Sequence, residues 1–569
     1  MRGRPQPARI LSSRSEGSYR VLGIEARDIA SKSQPGNYIM LWLPGVDEIP
    51  LAISYSDKDL VEVLIGPPKG EVGAALHKIP VGSIVGIRGP FGNPIPSWGS
   101  RTLLIGSSHG ISYLRFFAER NRERVYGAIL IDEEGRPPYS ARLREIGVKT
   151  YIAKSRDEAI ELFRSMIGDI DIAIICVRED LGRTLAETLI EKGVESYLCV
   201  ERPIKCSLGL CGACDLGLWR TCIEGIFLNA SKIVRTEYGL WTRDRSGLRI
   251  PITGSIDEGP KLPQRNVERD PELSINIAGL ELPNPLMNAA GCGVSGSILY
   301  RFALEGAGAV ITKSIGVEPR KGFRGPVMIE DPAGVYMNAL GLPNPGADQY
   351  VLEIRDAKKA GVPVIASIFG RNIDEYIAVA KKLYGSGVDA FELNVSCPHT
   401  EFEMVEDIPE LVRDIVRSIK SIVRLPLFVK ISVNSDYMEV ARKAIEGGAD
   451  GITAINTVRG YAYDPVFKRP IMGSPNGYGG VSGPSLKPIV RRVIKDLRGE
   501  FNVPIIASGG IDSARDVVEL AMLGARGFQI CSAIAYKGFS VFKEILEDLK
   551  RYVRSSSVKS FEELVKNNT

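Results

Sequence analysis

The segment AFELNVS (390–396) is a short, mostly apolar run, and it is one of eight similar runs in the second half of the chain. Stretches of helical period, such as IDEYIAVAKKLYGSG (373–387), lie between these runs. Near-continuous apolar strands that alternate with helices indicate a buried parallel sheet. The eight runs are NPLMNAA (284–290), GAVITKS (308–314), VPVIASI (362–368), AFELNVS (390–396), LPLFVKIS (425–432), DGITAIN (450–456), VPIIASG (503–509) and RGFQICS (526–532).

Eight strand–helix units over roughly 270 residues fit a closed (β/α)8 barrel. We therefore predict an α/β protein with this TIM barrel at 273–569, and an open, doubly wound sheet is the less favoured alternative. Short alternating strands between Gly and Pro turns at 1–98 predict a small β-barrel. Strand–helix alternation at 99–200 predicts a Rossmann-like domain, followed by a cysteine-rich segment at 201–242 and a polar linker at 243–272.

The composition is that of an ordinary globular protein: 569 residues, 44% apolar, 25% charged and a formal net charge of +4. A chain of this length is expected to form two or three domains. The small net charge gives no reason to expect nucleic acid or an anionic membrane as a partner. No apolar run reaches the roughly 18 residues of a membrane span, and the basic N-terminus lacks the apolar stretch of a secretory signal. A cytoplasmic protein is the default expectation.

Four of the nine cysteines lie close together, as Cys206-x4-Cys211-x2-Cys214-x7-Cys222. In a reducing cytoplasm such grouping points to metal binding more than to disulfides. The first three have the spacing of plant-type [2Fe–2S] ferredoxins, and the small residues between them would let a loop wrap closely around a cluster. A zinc site is the alternative, although zinc sites of this kind usually pair two C-x2-C units. A cluster that carries single electrons implies a redox partner in the same chain.

Polar residues at the ends of the barrel strands predict where that partner lies, because such barrels place their active sites there. Lys313 and Lys430 interrupt the apolar runs VITKS and FVKIS, and a buried ammonium group needs an anion or a strong acceptor. Gly509 and Gly510 follow the seventh strand, and Gly483 lies in the preceding loop, where bare backbone N–H groups can bind phosphate. Lysines beside a phosphate site predict flavin mononucleotide (FMN) in the barrel.

Residues 273–552 resemble the catalytic subunit of the type 1 dihydroorotate dehydrogenases. The motifs that carry the resemblance are AAGCG (289–293), TKS (312–314), NALGLPNPG (338–346), ELNVSCP (392–398), VKIS (429–432), INT (455–457), GGVSGPS (479–485) and SGGI (508–511). NALGLPNPG together with NVSCP is quite specific to that enzyme. Residues 8–229 resemble the family's electron-transfer subunit, a ferredoxin-reductase-like protein with an FAD-binding-type β-barrel and a [2Fe–2S] cluster. The two subunits are usually separate chains, and here they look fused.

The resemblance implies oxidation of dihydroorotate to orotate in pyrimidine biosynthesis, with FMN as the hydride acceptor and a [2Fe–2S] cluster that passes electrons on. The implied base is Cys397, which takes the C5 proton as a thiolate. The implied substrate-binding residues are Lys313, Asn338, Gly341, Leu342, Asn394, Asn456 and Thr457. The implied FMN-binding residues are Ala290, Gly291, Lys313, Ser314, Asn394, Lys430, Gly483, Gly509, Gly510, Cys531 and Ser532. The implied cluster ligands are Cys206, Cys211, Cys214 and Cys222, and barrels of this family commonly pair as homo-oligomers.

The chain departs from the family pattern at several positions. His399 stands where Asn is usual after the SCP motif, and Cys531-Ser532 replaces the usual Gly-Thr. In the N-terminal part, Ile49 stands in place of an Arg that reaches the FAD pyrophosphate, and Gly73 stands where Thr is expected. These last two departures weaken the case for FAD as a second flavin.

The nicotinamide-binding loop departs further from the family. GSSHGISY (106–113) carries side chains at Ser107, Ser108 and His109, where the backbone should approach a pyrophosphate. ICVRED (175–180) replaces a late Cys-Gly-Pro of the reductases. These losses predict that NAD is a poor acceptor or none, and the sequence leaves the acceptor open among a quinone, a ferredoxin and a nicotinamide.

Three other interpretations stay open. CPH at 397–399 also resembles the dihydropyrimidine dehydrogenases, which reduce uracil on a related barrel, although those proteins lack NALGLPNPG and carry more cysteines. A non-catalytic electron-relay protein is disfavoured by Cys397, Lys313 and the NALGLPNPG loop. The third interpretation keeps catalysis in the barrel and makes the N-terminal part a structural module that holds the cluster.

Overall fold

The computed structural model describes residues 3–96, 99–132, 136–331, 334–396 and 405–567. The predicted base Cys397 and the unusual His399 therefore lie outside the described residues. Within these ranges, no helix has both the length and the apolar character that a membrane span requires.

The N-terminal part is a small antiparallel barrel. Its elements are β1 (Gln6–Glu16), β2 (Tyr19–Glu25), α1 (Arg27–Ala30), β3 (Tyr38–Leu43), β4 (Asp47–Asp57), β5 (Leu60–Ile65), α2 (Gly70–Lys78) and β6 (Ile84–Phe91). The strands close in the order β1-β2-β5-β4-β3-β6, so every strand has two neighbours and no sheet edge is left exposed. The small β-barrel predicted from the alternating strands is confirmed.

A helix-flanked sheet follows. Its elements are β7 (Thr102–Ser107), α3 (Gly110–Arg120), β8 (Val125–Ile131), α4 (Ser140–Glu145), β9 (Thr150–Ala153), α5 (Arg156–Met166), β10 (Ile172–Cys176), α6 (Glu179–Glu191), β11 (Glu195–Cys199), β12 (Asp215–Leu216), β13 (Trp219–Arg220), α7 (Thr221–Glu224), β14 (Phe227–Asn229) and α8 (Ala230–Ile233). The sheet has the order β14-β11-β10-β7-β8-β9, and all pairs are parallel except β11 with β14. Every residue of β10, IAIIC, is buried, as expected for a parallel strand covered on both faces.

The C-terminal part is a ring of parallel strands with helices outside. Its elements, with two hairpins before them, are β15 (Trp241–Arg243), β16 (Arg249–Pro251), β17 (Ile275–Ile277), β18 (Leu280–Leu282), β19 (Leu286–Asn288), α9 (Gly296–Leu304), β20 (Val310–Ile311), β21 (Pro319–Arg320), β22 (Met328–Asp331), β23 (Val335–Asn338), β24 (Asn344–Pro345), α10 (Ala347–Lys358), β25 (Val364–Ile368), α11 (Ile373–Tyr384), β26 (Ala390–Asn394), α12 (Pro409–Lys420), β27 (Leu427–Ile431), α13 (Tyr437–Glu446), β28 (Gly451–Ala454), β29 (Val458–Tyr461), β30 (Tyr463–Asp464), β31 (Arg469–Pro470), β32 (Tyr478–Ser482), α14 (Lys487–Glu500), β33 (Ile505–Ser508), α15 (Ala514–Met522), β34 (Ala525–Ile530), α16 (Ile534–Lys537), α17 (Val541–Ser555) and α18 (Phe561–Lys566).

The central sheet has the order β19-β34-β33-β28-β27-β26-β25-β20. A parallel bridge between Met287 and Ala309 brings the first and last strands together, so the ring is nearly closed. Each of the eight apolar runs in the sequence coincides with one of these strands, and the predicted TIM-barrel-like architecture is confirmed.

The outer helices follow from the spacing of apolar residues. In α12, the buried residues Val412, Ile415, Val416 and Ile419 recur at helical spacing and form one face against the sheet. Pro409 occupies the first turn, where its missing N–H group would have no helical partner.

A buried ion-pair network joins the predicted linker to the barrel. Glu353 on α10 accepts hydrogen bonds from Arg243 at 2.8 Å and Arg249 at 2.6 Å, and Arg249 also reaches Asp356 at 3.0 Å. The two guanidinium groups lie 4.9 and 4.5 Å from the ring of Trp241. Burial raises the pKa of Glu353, but the two arginines outweigh burial and hold that pKa well below its ordinary value. The ordered linker therefore fixes the N-terminal part against the barrel.

Replacing Glu353 by Gln should destabilise the protein, because two buried guanidinium groups would lose their shared carboxylate. We expect a loss of about 3 kcal/mol in the free energy of unfolding near neutral pH. Because the folded pKa is lowered, the carboxylate's contribution is present above the unfolded pKa and is lost as pH falls. The stability gap between wild type and E353Q should therefore narrow between about pH 5 and pH 3. Denaturant unfolding at several pH values measures both effects.

Asp348→Asn is the matched control, because Asp348 lies on the same helix with an 82% exposed side chain and pairs with Lys382 at the surface. This change should alter the free energy of unfolding by less than about 0.5 kcal/mol. An E353Q variant as stable as wild type near neutral pH would contradict the importance given to the network.

Candidate active site

A cavity opens at the carboxyl ends of the barrel strands. All the residues that the sequence singled out for substrate binding line it, and so do the predicted FMN residues except Gly483. They are Ala290, Gly291, Lys313, Ser314, Asn338, Gly341, Leu342, Asn394, Lys430, Asn456, Thr457, Gly509, Gly510, Cys531 and Ser532. Gly483 lies directly behind this lining, since its carbonyl oxygen is 3.0 Å from the point that a Cβ on Gly510 would occupy. The fold thus brings these residues together, while their individual roles stay predictions.

Sequence reasoning missed several residues that line the same cavity: Leu210, Ala289, Met328, Leu340, Ile455, Ser482, Leu486, Ser508 and Gln529. Nothing in the sequence separates Met328 and Leu486 from ordinary core residues. Five of the others lie within the family motifs, which do not single them out: Ala289, Leu340, Ile455, Ser482 and Ser508. Gln529 could have been found, because it lies two residues before Cys531 and strand alternation puts both on one face. Leu210 is the unexpected member, because it belongs to the cysteine-rich segment of the N-terminal part.

Lys313 lies at the wall of the cavity that faces the cysteine-rich segment. Its side chain is buried, and burial lowers the pKa of its ammonium group to about 8. Its Nζ is 3.5 Å from the backbone carbonyl oxygen of Cys211, which accepts a hydrogen bond. An anion in the cavity would be the stronger partner that this lysine otherwise lacks.

Lys430 is held by a hydrogen-bonded chain inside the barrel. Its Nζ donates to Oε1 of Gln529 at 2.8 Å, and Nε2 of Gln529 donates to Oε2 of Glu392 at 2.6 Å. Thr453 also donates to that carboxylate oxygen, at 3.1 Å. Because the glutamine cannot rotate without breaking both bonds, the lysine is fixed at the cavity wall.

Asparagine side chains tie neighbouring strand ends together at the cavity. Nδ2 of Asn394 donates to Oγ of Ser314 at 3.1 Å. Nδ2 of Asn456 donates to Oδ1 of Asn394 at 3.1 Å and to the carbonyl oxygen of Ser396 at 2.6 Å. Asn338 donates to the carbonyl oxygen of Gly480 at 3.1 Å. The cavity therefore presents amide groups in fixed orientations, which suits a flat, polar heterocycle.

Gly509 and Gly510 form a tight turn after β33. Their φ angles are +123° and +73°, a region that favours glycine. A Cβ on Gly510 would lie 2.9 Å from Cγ of Lys487, so a side chain would also crowd the turn. Cys531, which replaces a usual glycine, is accommodated, because a Cβ on Gly291 would still be 3.8 Å from its Sγ.

The segment that carries the predicted base, 397–404, lies outside the described residues, but both of its ends are described. The Glu406 N–H group donates to the carbonyl oxygen of Val395 at 3.1 Å. The Glu406 carboxylate accepts two hydrogen bonds from Ser432, one from its Oγ at 2.7 Å and one from its backbone N–H group at 3.2 Å. Burial raises the pKa of Glu406 to about 7. Glu406 therefore fixes the end of this segment against the neighbouring strand β27.

The four clustered cysteines are buried and in contact with one another. The thiol of Cys206 contacts those of Cys211 and Cys222, and Cys222 in turn contacts Cys214. Cys206 Sγ also accepts the N–H groups of Leu208 and Cys211, each at 3.4 Å. Among the described residues, no three His, Cys, Asp or Glu side chains converge as a site for one metal ion. The four thiols instead form one continuous series of contacts, in the order Cys211, Cys206, Cys222 and Cys214.

A buried arginine connects the cysteine-rich segment to the barrel. Arg220 donates to the Asp215 carboxylate at 2.9 and 3.2 Å, to the Gly209 carbonyl at 2.8 Å and to the Cys292 carbonyl at 3.0 Å. Asp215 also accepts a hydrogen bond from Ser295 of the barrel, at 3.0 Å. These contacts place the cysteine loop directly against the cavity wall.

A second cavity lies between the N-terminal barrel and the helix-flanked sheet. Residues that depart from the family pattern line it: Ile49, Gly73, Ser108 and His109. Two arginines from later in the chain reach it, and both are already paired. Arg245 lies 3.2 Å from Asp47, and Arg324 lies 2.9 Å from Glu71.

Comparison with known proteins identifies the C-terminal half. The family model of dihydroorotate dehydrogenase matches residues 272–553. The chain is similar to the dihydroorotate dehydrogenase B (NAD(+)) catalytic subunit of Pyrococcus abyssi, with 43% identity over 52% of this chain and 98% of that protein. The chain belongs to the dihydroorotate dehydrogenase family. It is an oxidoreductase acting on CH–CH groups.

Further matches cover a similar share of the chain. The corresponding catalytic subunit of Methanocaldococcus jannaschii is 40% identical over 52% of this chain and 97% of that protein. Among solved structures, a crystal structure of DHODH in complex with ferulenol from Eimeria tenella aligns with a TM-score of 0.46 and 23% identity, covering 53% of this chain and 90% of that one.

Glu406→Gln should gain stability relative to wild type as pH rises. A folded pKa of about 7 lies above the ordinary value of 4.5, so wild type loses stability as pH rises through that window. The amide has no such loss, and the difference should move in favour of E406Q by roughly 1–3 kcal/mol between about pH 5 and pH 8. Unfolding curves at the two pH values test this. The exposed Glu410→Gln is the control, and identical pH dependence in E406Q and wild type would contradict the assignment.

Proposed function

We propose that the protein oxidises (S)-dihydroorotate to orotate, in the pathway to the pyrimidine nucleotide UMP, at the barrel cavity. The observation that carries this proposal is the convergence, on one cavity, of the residues that the family motifs imply for substrate and for FMN. Membership of the dihydroorotate dehydrogenase family supports the same reaction.

The cavity suits FMN in three respects. The Gly509–Gly510 turn offers backbone N–H groups to a phosphate, with Ser532 beside it. Lys430, fixed through Gln529, would face the part of the flavin ring where negative charge develops on reduction. FMN, when bound, accepts the hydride from the substrate.

The substrate would be bound by an ion pair and by hydrogen bonds to amide groups. Lys313 would bind an anionic group of the substrate, which would also satisfy its buried ammonium. Asn338, Asn394 and Asn456 would pair with the ring amides, since each side chain both donates and accepts hydrogen bonds. This arrangement would hold the ring flat beside the flavin.

We place the base at Cys397, directly after Ser396 and the end of β26. The C5–H bond breaks, its proton passes to the Cys397 thiolate, and its electron pair becomes the C5=C6 double bond. FMN, when bound, would take the C6 hydrogen together with its bonding electron pair. The hydrogen bond from Asn456 to the Ser396 carbonyl supports this placement, because it holds the approach to Cys397 beside the substrate amides.

We propose that Cys206, Cys211, Cys214 and Cys222 hold a [2Fe–2S] cluster that carries the electrons away singly. Four buried thiols without another ligand type are the donor set of such a cluster, and the contacts that join all four thiols place them close enough to share one. Leu210 supports the route from the flavin, because it lies in the cysteine loop and lines the barrel cavity.

We propose that NAD is a poor acceptor and that a quinone, a ferredoxin or a related carrier takes the electrons. Ser108 and His109 stand in the second cavity where a pyrophosphate would need bare backbone. Ile49 lines this cavity, and Arg245 and Arg324 are already paired with carboxylates. The same features weigh against FAD there.

Cys397→Ser should lower dye-coupled dihydroorotate oxidation near neutral pH by roughly 100-fold or more, because a hydroxyl is a far weaker base than a thiolate. Steady-state turnover with a redox dye measures this. Cys176→Ala, a cysteine of the helix-flanked sheet, is the control and should keep wild-type turnover. Wild-type turnover in Cys397→Ser would show that the base lies elsewhere.

Metal analysis of the purified protein should find about two irons per chain and no zinc. Cys211→Ala should abolish the iron, whereas Cys199→Ala, a buried cysteine outside the proposed ligand set, should retain it. Stoichiometric zinc in place of iron would refute the cluster.

A further inference from the structure

A second buried ion pair lies inside the N-terminal barrel, between Arg88 on β6 and Glu48 on β4. Nε of Arg88 donates to Oε1 of Glu48 at 2.7 Å, and Nη2 donates to Oε2 at 2.6 Å. Both side chains are completely buried. Burying two charged groups in this way is costly, and replacement by apolar residues of similar size is often no less stable. The pair therefore calls for an explanation other than stability.

The remaining nitrogen of Arg88, Nη1, is left without a partner. It is buried and donates no hydrogen bond to any described residue. An unsatisfied donor on a charged, buried group is unusual in native proteins. Glu48, by contrast, uses both of its carboxylate oxygens on Arg88.

The surroundings of this pair include the proposed cluster. Burial lowers the pKa of Arg88 and Glu48 raises it, and a charge on Cys206 raises it further, so Cys206 lies within electrostatic range. Tyr38, on the strand between β4 and β6, donates to Oγ of Ser207 at 3.1 Å and approaches the Cys222 carbonyl at 3.4 Å. The barrel wall that carries Arg88 thus packs directly on the cysteine loop.

We propose that Arg88 is a positioning residue for electron transfer that raises the reduction potential of the [2Fe–2S] cluster. This inference rests on the cluster of the proposed function. Reduction adds one electron and makes the cluster one unit more negative. A guanidinium group that stays charged at all working pH values stabilises this added charge, and more strongly in a buried setting than in water. Its Nη1 group, which is not used by Glu48, would also be able to donate a hydrogen bond to a sulfur atom of the cluster. Such hydrogen bonds tune the reduction potentials of clusters.

Glu48 has a supporting part in this account. Its bidentate contact fixes the plane of the guanidinium group, so Nη1 cannot turn back toward the carboxylate. A lysine in place of Arg88 would keep the charge but lose this fixed fork. Arg220, the other buried arginine beside the cysteines, donates instead to Asp215 and backbone carbonyls.

The test is a redox titration of the holoprotein, with the reduced cluster followed by electron paramagnetic resonance (EPR). Arg88→Met should shift the midpoint potential of the cluster to more negative values, and Arg88→Lys should fall between Arg88→Met and wild type. The double variant Arg88→Met/Glu48→Leu removes the whole pair without leaving a buried unpaired charge. It should also shift the potential to more negative values, but by less than Arg88→Met, because the opposing carboxylate charge is removed as well. This variant decides the question if Arg88→Met alone does not fold.

Arg115→Met is the matched control. Arg115 forms a similar buried pair with Glu62, at 2.6 Å, but the charges that act most strongly on that carboxyl are those of Arg115 and Arg14. It should leave the midpoint potential at the wild-type value. An unchanged potential in Arg88→Met or in the double variant, with a full EPR signal, would overturn the inference and leave the cluster intact. Wild-type holoprotein without any cluster signal would overturn the cluster and this inference together.

Discussion

The buried guanidinium group of Arg220 is the contact on which the arrangement of the two halves depends. It binds the Asp215 carboxylate and the Gly209 carbonyl of its own segment, and it also binds the Cys292 carbonyl at the end of the first barrel strand. Breaking the hydrogen bonds of a buried guanidinium group is costly, so a shift of the cysteine loop relative to the barrel would cost free energy. Leu210 is thereby held at the barrel cavity.

At the proposed active site, the path of the proton and the path of the electrons lie at different strand ends. In the proposed reaction, the proton would leave toward the end of β26, where Ser396 leads into the segment with Cys397. The electrons would leave on the side of β19 and β20, where Lys313 contacts the Cys211 carbonyl. Because the two exits lie at different strand ends, each can be tuned by its own neighbours: Glu406 and Ser432 on one side, and the cysteine loop on the other.

Much of the fold could be predicted from the sequence, because the eight barrel strands are apolar runs that local spacing reveals. Lys313 and Lys430 could also be recognised as candidate site residues, since a charged lysine within an apolar strand is unusual and needs an anionic or strongly polar partner. The contacts that Leu210, Gln529 and the Arg88–Glu48 pair make were not visible in this way. Their importance arises from contacts between residues that are far apart in the sequence. Lys430 and Gln529, for example, are 99 positions apart, and no local pattern encodes such a contact. The departures at Ile49 and His109 were visible, and the structure places both residues in one cavity.

The central claim is that electrons from dihydroorotate leave the barrel through the cysteine loop. The most direct test is anaerobic rapid mixing of oxidised holoprotein with dihydroorotate, with flavin absorbance and cluster EPR followed in the same samples. The account predicts that flavin bleaching is followed by a reduced-cluster signal that forms at least as fast as the enzyme turns over. Flavin that bleaches while the cluster stays oxidised, or is reduced more slowly than turnover, would contradict it.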